Sequence, residues 1–146
     1  MALKLEKTVY TAHATSTGGR DGKSKTDDGK IDLTLAVPKE MGGNGNGTNP
    51  EQLFACGYSA CFLGAMRFAA SQRKEKTIVP DDATVGADVG IGPLADKLGF
   101  GITVTLNVKI PGWDQAKTKA LVDEAHEICP YSNATRGNVD VKFNVS

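Results

Sequence analysis

Apolar and polar residues alternate over residues 3–14, with Leu3, Leu5 and Val9 set against Lys4, Glu6 and Thr8. That period of two predicts a half-buried strand. Gly18-Gly19-Arg20-Asp21-Gly22 turns the chain, and Asp28-Gly29 turns it again. Ile31, Leu33, Leu35 and Val37 alternate in a second strand that Pro38 stops, and a glycine-rich loop follows from Lys39 to Thr48. Asn49-Pro50-Glu51-Gln52 is a helix start, with Asn as cap, Pro at the first helical position and Gln52 where a capping-box partner reaches back. The helix is expected to run to about Arg73, about 36 Å at a rise of about 1.5 Å per residue. From Leu53 to Met66 it is apolar nearly all round, so most of its sides need cover.

Two further alternating runs, Ala83 to Ile91 and Phe100 to Ile110, predict strands joined as a hairpin through residues 92–99. Asp114 caps a second helix whose Ala116, Ala120, Leu121, Ala125 and Ile128 share a face, and Cys129-Pro130 halts it. A loop and a last strand over Val139, Val141, Phe143 and Val145 end the pattern. Alternating strands linked by hairpins, with helices between, give an α+β class built on antiparallel sheet. The chain of 146 residues is one domain, 1–146, by length. One domain of that size has too little sheet to cover a helix that is apolar on all faces, so a dimer is expected to share the burial.

Composition narrows the partners. Seventeen basic and seventeen acidic residues cancel, which argues against nucleic acid or an anionic membrane as partner. Residues 1–7 hold no apolar signal-peptide core, and the fourteen-residue apolar run Leu53–Met66 is short for a membrane span. With an odd number of cysteines, three, the expectation is a reducing cytoplasm rather than a disulfide scaffold.

Several candidate chemistries fail on spacing. The loop 42–47 precedes a helix but lacks the Gly-Lys-Ser/Thr ending of a phosphate cradle, and Glu51 sets a carboxylate where phosphate would sit. Cys56, Cys61, His126 and Cys129 supply four candidate ligands for zinc, yet Cys56 and Cys61 lie about 140° apart around a regular helix. No metal or cofactor is expected. Cys61 is different, because its helical neighbours Gly57, Gly64 and Ala65 are small and leave room for another group. Two readings stay open: a buried thiol against a tightly packed strand, or a nucleophile. Burial alone makes a thiol inert, so a reactive Cys61 needs a cation from elsewhere. Cys129, at the negative end of the second helix, suits a resolving thiol better than a first nucleophile.

Three segments carry a resemblance. Thr48-Asn49-Pro50-Glu51-Gln52-Leu53-Phe54-Ala55 followed by Gly57-Tyr58-Ser59-Ala60-Cys61-Phe62 resembles the active-site helix of the organic hydroperoxide resistance (Ohr) branch of the OsmC/Ohr family of thiol peroxidases. Cys129-Pro130-Tyr131-Ser132-Asn133-Ala134-Thr135-Arg136-Gly137-Asn138 resembles that branch's second cysteine motif, which separates it from OsmC proper. Tyr10-Thr11-Ala12 through Gly22 resembles its N-terminal strand and arginine loop. Cys56 departs from the pattern, standing where the family commonly has Ala.

The resemblance implies an intertwined homodimer in which antiparallel sheets enclose central helices. It implies Cys61 as peroxidatic and Cys129 as resolving cysteine, with Arg20 and Glu51 as the active-site arginine and glutamate. The substrate would be an organic hydroperoxide, reduced to an alcohol through a Cys61 sulfenic acid and a Cys61–Cys129 disulfide. A dithiol, the lipoyl group of a lipoylated protein, would reduce that disulfide. Phe54, Phe62, Leu94, Leu98 and Phe100 are candidates for lining an organic-peroxide pocket or for core. Glu51 and Cys61 lie about 15 Å apart along a straight helix, so an arginine bridging both is expected to meet Cys61 of the partner subunit. The competing readings are an OsmC-type peroxidase preferring hydrogen peroxide, and a non-catalytic thiol sensor or apolar-ligand binder.

Overall fold

The computed structural model describes residues 2–146. They form two units, one running to Pro50 and the other Glu51–Ser146. In the first, β1 (Ala14–Thr17), β2 (Lys23–Thr26) and β3 (Asp32–Thr34) make an antiparallel sheet in that order. The strand expected over residues 3–14 is absent until Ala14, and Leu3, Leu5, Val9 and Tyr10 are exposed. Alternation fits a segment to a sheet but supplies no neighbour for its N–H and C=O groups. A 3₁₀ turn, Gly19–Asp21, links β1 to β2 and presents Arg20; Gly18 and Gly19 have φ of 72° and 60°, which only glycine adopts freely. The turn is tied down where the Val37 N–H donates to Asp21 Oδ1 at 3.2 Å and the Leu35 N–H to the Gly22 carbonyl at 2.8 Å.

The second unit is built around α1 (Pro50–Ser71), which starts where the Asn-Pro signal puts it and ends two residues short of Arg73. β4 (Thr84–Pro93) and β5 (Phe100–Lys109) form the expected hairpin, in register from Thr84 against Lys109 to Pro93 against Phe100. α2 (Gln115–Ile128) is capped by Asp114, whose Oδ1 accepts from the Lys117 N–H at 2.8 Å. A short helix, α3 (Pro130–Thr135), takes the place of the expected loop. Its start signal is Cys129 as cap with Pro130 at the first helical position. The last strand, β6 (Asp140–Val145), lies beside β5 in parallel, Thr103 against Asp140 to Val108 against Val145. The α+β class holds, and the antiparallel expectation holds for the other strand pairs. β6 runs parallel because α2 and α3 form a crossover long enough to return the chain to the starting edge.

Tyr58, Phe62 and Met66 of α1, Val104, Leu106 and Val108 of β5, and Leu121, Val122 and Ala125 of α2 form the core, all essentially without exposure. Phe143 of β6 meets both helices, with ring centroids 5.5 Å from Phe62 and 5.0 Å from His126. By length and composition α1 could cross a bilayer, beyond what the fourteen-residue run suggested, but one face of it forms this core. The opposite stripe, with Cys56, Ala60, Gly64 and Phe68, is exposed within the chain. The helix is therefore covered on one face here rather than on most.

His126 Nδ1 is buried and makes no hydrogen bond among the described residues. Burial first, then the charge of Arg136, hold the imidazole below its usual range, against weaker opposing pulls from Glu127 and Asp123. The folded protein thus keeps His126 neutral where the unfolded chain, with a pKa of about 6.5, already takes a proton. Its contribution to stability is complete above that value and is lost as pH falls toward the lower folded pKa. Urea unfolding at pH 7.5 and 5.5 checks this: the parent loses stability on acidification, and His126→Leu removes part of that loss. An unchanged pH difference in the variant would contradict it.

Candidate functional site

The two motif cysteines come together. Cys61 sits mid-way along α1 and is half-buried, while Cys129, fully buried, ends α2 and caps α3. Both are free thiols; Cys61 packs against the buried cluster that includes Cys129, and the Cys129 sulfur bears on the charge of Cys61. The Tyr131 backbone N–H favours the charged form of Cys61. Because Tyr131 is the second residue of α3, that N–H is one of those a helix start leaves without an intrahelical partner. So Cys129 stands at two helix ends at once, and an N–H of the second favours charge on Cys61.

Electrostatics in this unit hold Cys61 in the thiol form. Burial raises its pKa most, and the Cys129 sulfur adds to the rise by disfavouring a second negative charge beside it. Only the Tyr131 N–H pulls the other way.

The backbone carrying Cys129 is fastened to α1 through side chains that the motifs contain but that spacing alone does not assign. Tyr58 Oη lies 2.8 Å from Ser132 Oγ and 3.2 Å from Thr135 Oγ1, all buried. The Tyr131 ring covers Gly57: a Cβ there would stand 2.6 Å from the tyrosine oxygen. The same ring packs edge-on against Phe54, centroids 5.7 Å apart, and tilted against Tyr58 at 5.6 Å. Gly57 is thus small for the sake of Tyr131.

A mostly apolar cleft of about 450 Å³ is lined by Phe54, Ile102, Pro130, Tyr131, Ala134 and Val139, with Thr135 and Asn138; the residues next to Cys129 line it, but neither cysteine does. Of the five aromatic and aliphatic candidates, Phe54 lines it and Phe62 is core, whereas Leu94, Leu98 and Phe100 are exposed near the end of the hairpin. Glu51 is half-buried in the first turn of α1. Arg20 is half-buried in the 3₁₀ turn of the first unit. Cys56 is exposed, away from the buried Cys129. Among the described residues no three His, Cys, Asp or Glu side chains converge as metal ligands.

The OsmC-like protein family model matches residues 43–144, from the loop before α1 to the last strand. An organic hydroperoxide resistance protein of Xanthomonas axonopodis pv. citri is 52% identical over 142 residues, 97% of each chain. An uncharacterized protein of Acinetobacter baylyi is 59% identical over 98% of this chain and 97% of its own. Among solved structures, an organic hydroperoxide resistance protein of Legionella pneumophila superposes with a TM-score of 0.87 at 47% identity, covering 96% of this chain and 99% of that one. The match in sequence, in motif and in fold spans nearly the whole chain, and the protein belongs to the OsmC/Ohr family, in its organic hydroperoxide resistance branch.

Proposed function

We propose that this protein is a cysteine-based peroxidase that reduces organic hydroperoxides to alcohols. The observation that carries the reading is the packing of Cys61 against the buried cluster that holds Cys129, with the Tyr131 N–H favouring charge on Cys61. The Cys61 thiolate attacks one peroxide oxygen, the O–O bond breaks, and the departing alkoxide takes a proton to leave as the alcohol. Cys61 keeps the other oxygen as a sulfenic acid. The Cys129 thiol then attacks that sulfur, water leaves, and a disulfide remains. An external dithiol, of lipoyl type, reduces the disulfide by two exchanges and is itself oxidised. The apolar cleft lined by Phe54, Pro130 and Tyr131 suits the organic part of the substrate, and the names of the Xanthomonas and Legionella relatives support the same substrate class.

Arg20 is the proposed source of the missing cation. A guanidinium near Cys61 lowers the thiol pKa and polarises the peroxide, and Glu51 holds the guanidinium by a charge-assisted fork. We place this contact across a homodimer of single-domain chains, with Arg20 and Glu51 meeting Cys61 of the partner subunit, since Glu51 and Cys61 of one helix lie about 15 Å apart. The exposed apolar stripe of α1 is consistent with such an assembly, and the proposed setting is the cytoplasm.

Turnover with dihydrolipoamide as reductant tests the reading. Consumption of an alkyl hydroperoxide should far exceed that of hydrogen peroxide and disappear in Cys61→Ser. Selectivity for hydrogen peroxide would favour OsmC-type chemistry, and no turnover with either peroxide would favour a sensor or apolar-ligand binder. Arg20 is tested separately in a Cys56→Ser, Cys129→Ser background by following Cys61 alkylation against pH. Arg20→Met should move the profile to higher pH and slow alkylation at pH 7, about tenfold for every pH unit that the midpoint rises. An unchanged profile would remove Arg20 from the role.

A further inference from the structure

We propose that the Tyr58 hydroxyl is the positioning group for disulfide formation, holding the Cys129 segment on α1 so that the thiol pair closes without local unfolding. This rests on Cys61 and Cys129 being the redox pair. Tyr58 lies three residues before Cys61 on α1, and Ser132 three residues after Cys129 on α3. The Oη–Oγ contact of 2.8 Å between them therefore ties the two backbones about one helical turn from each sulfur. Thr135 Oγ1 makes a second contact with Tyr58 Oη at 3.2 Å and donates to the Ser132 carbonyl at 3.3 Å, so one buried oxygen gathers both turns of α3. Tyr58 and Ser132 have no exposure and Thr135 has 3%. With water excluded, the hydroxyls are satisfied by one another and by the Ser132 carbonyl, and the arrangement is held firmly.

The chemical consequence is a contest for the sulfenic acid. Attack by the Cys129 thiol forms the disulfide and releases water; attack of the sulfenate on a second hydroperoxide forms a sulfinate and releases a second alcohol. Whichever is faster decides whether the protein survives turnover, and the first depends on where Cys129 is held. Tyr58 acts through the position of α3 rather than on either sulfur.

Tyr58→Phe keeps the ring and removes the oxygen. After one equivalent of tert-butyl hydroperoxide, rapid quench separates loss of the Cys61 thiol from formation of the disulfide. The first phase should stay within about twofold of the parent, and the second should slow about tenfold or more. With excess hydroperoxide, mass spectrometry should show more Cys61 sulfinic acid in the variant. Ser132→Ala removes the other end of the same hydrogen bond and should reproduce the split, which keeps the test available if Tyr58→Phe fails to fold. Parent-like disulfide formation in a folded variant would overturn the proposal, as would equal slowing of both phases. The comparison is repeated with oxidised glutathione, where the first exchange releases one glutathione and closure of the disulfide releases the second. A parent that closes the disulfide with glutathione but not with hydroperoxide refutes the peroxidase reading alone, and slower closure in the variant still supports the role of Tyr58. A parent that closes it with neither oxidant overturns both.

Discussion

A half-buried thiol beside a second sulfur resists ionisation, because its thiolate would lose water and face a polarisable, electron-rich atom, and Cys61 beside Cys129 is in that position. That constraint governs the rest of the structure. In the proposed mechanism Cys61 and Cys129 meet to close a disulfide, while burial first and then the neighbouring Cys129 sulfur raise the pKa of Cys61. The fold offers one local offset, the Tyr131 N–H at the start of α3, and by itself that N–H does not reverse the effect of burial. A positive side chain is the remaining physical route to a reactive Cys61, which gives Arg20 its place in the proposed mechanism.

The architecture of the second unit follows from bringing Cys129 to α1. β5 and β6 are parallel, so the chain between them must cross over, and the crossover contains the α2–Cys129–α3 corner. The core formed by Val104, Leu106 and Val108 with Leu121, Val122 and Ala125 fixes α2 on the sheet, while Tyr58, Phe62 and Met66 fix α1 in the same core. The corner that carries Cys129 is thus set by apolar packing at long range and by Tyr58, Ser132, Thr135 and the Gly57–Tyr131 contact at short range.

Much of this is legible in the pattern of residues. The Asn49-Pro50 start, the Asp114 cap and the alternation of β5 are local signals, and local structure obeys them. The cysteine motifs point to the proposed pair because each is carried by contiguous residues. The segment 3–13 misleads because alternation records which side chains could be buried, not whether a neighbouring strand is present. α3 is hidden because Pro130 reads as the stop of one helix, although the same residue is favourable at the start of the next. Tyr131 escapes for a different reason: its contribution to Cys61 is a backbone N–H, which residue type does not reveal. Tyr58 reads as one more apolar position on a helix face, and only the fold shows that its oxygen ends on Ser132 and Thr135.

The central claim, that Cys61 and Cys129 form one redox pair with Cys56 outside it, is tested most directly by counting and mapping thiols before and after one equivalent of an organic hydroperoxide. The reduced protein has three free thiols. The account predicts that one remains afterwards, on Cys56, with a single disulfide between Cys61 and Cys129 found by peptide mapping. Three surviving thiols, or a disulfide that includes Cys56, would contradict it.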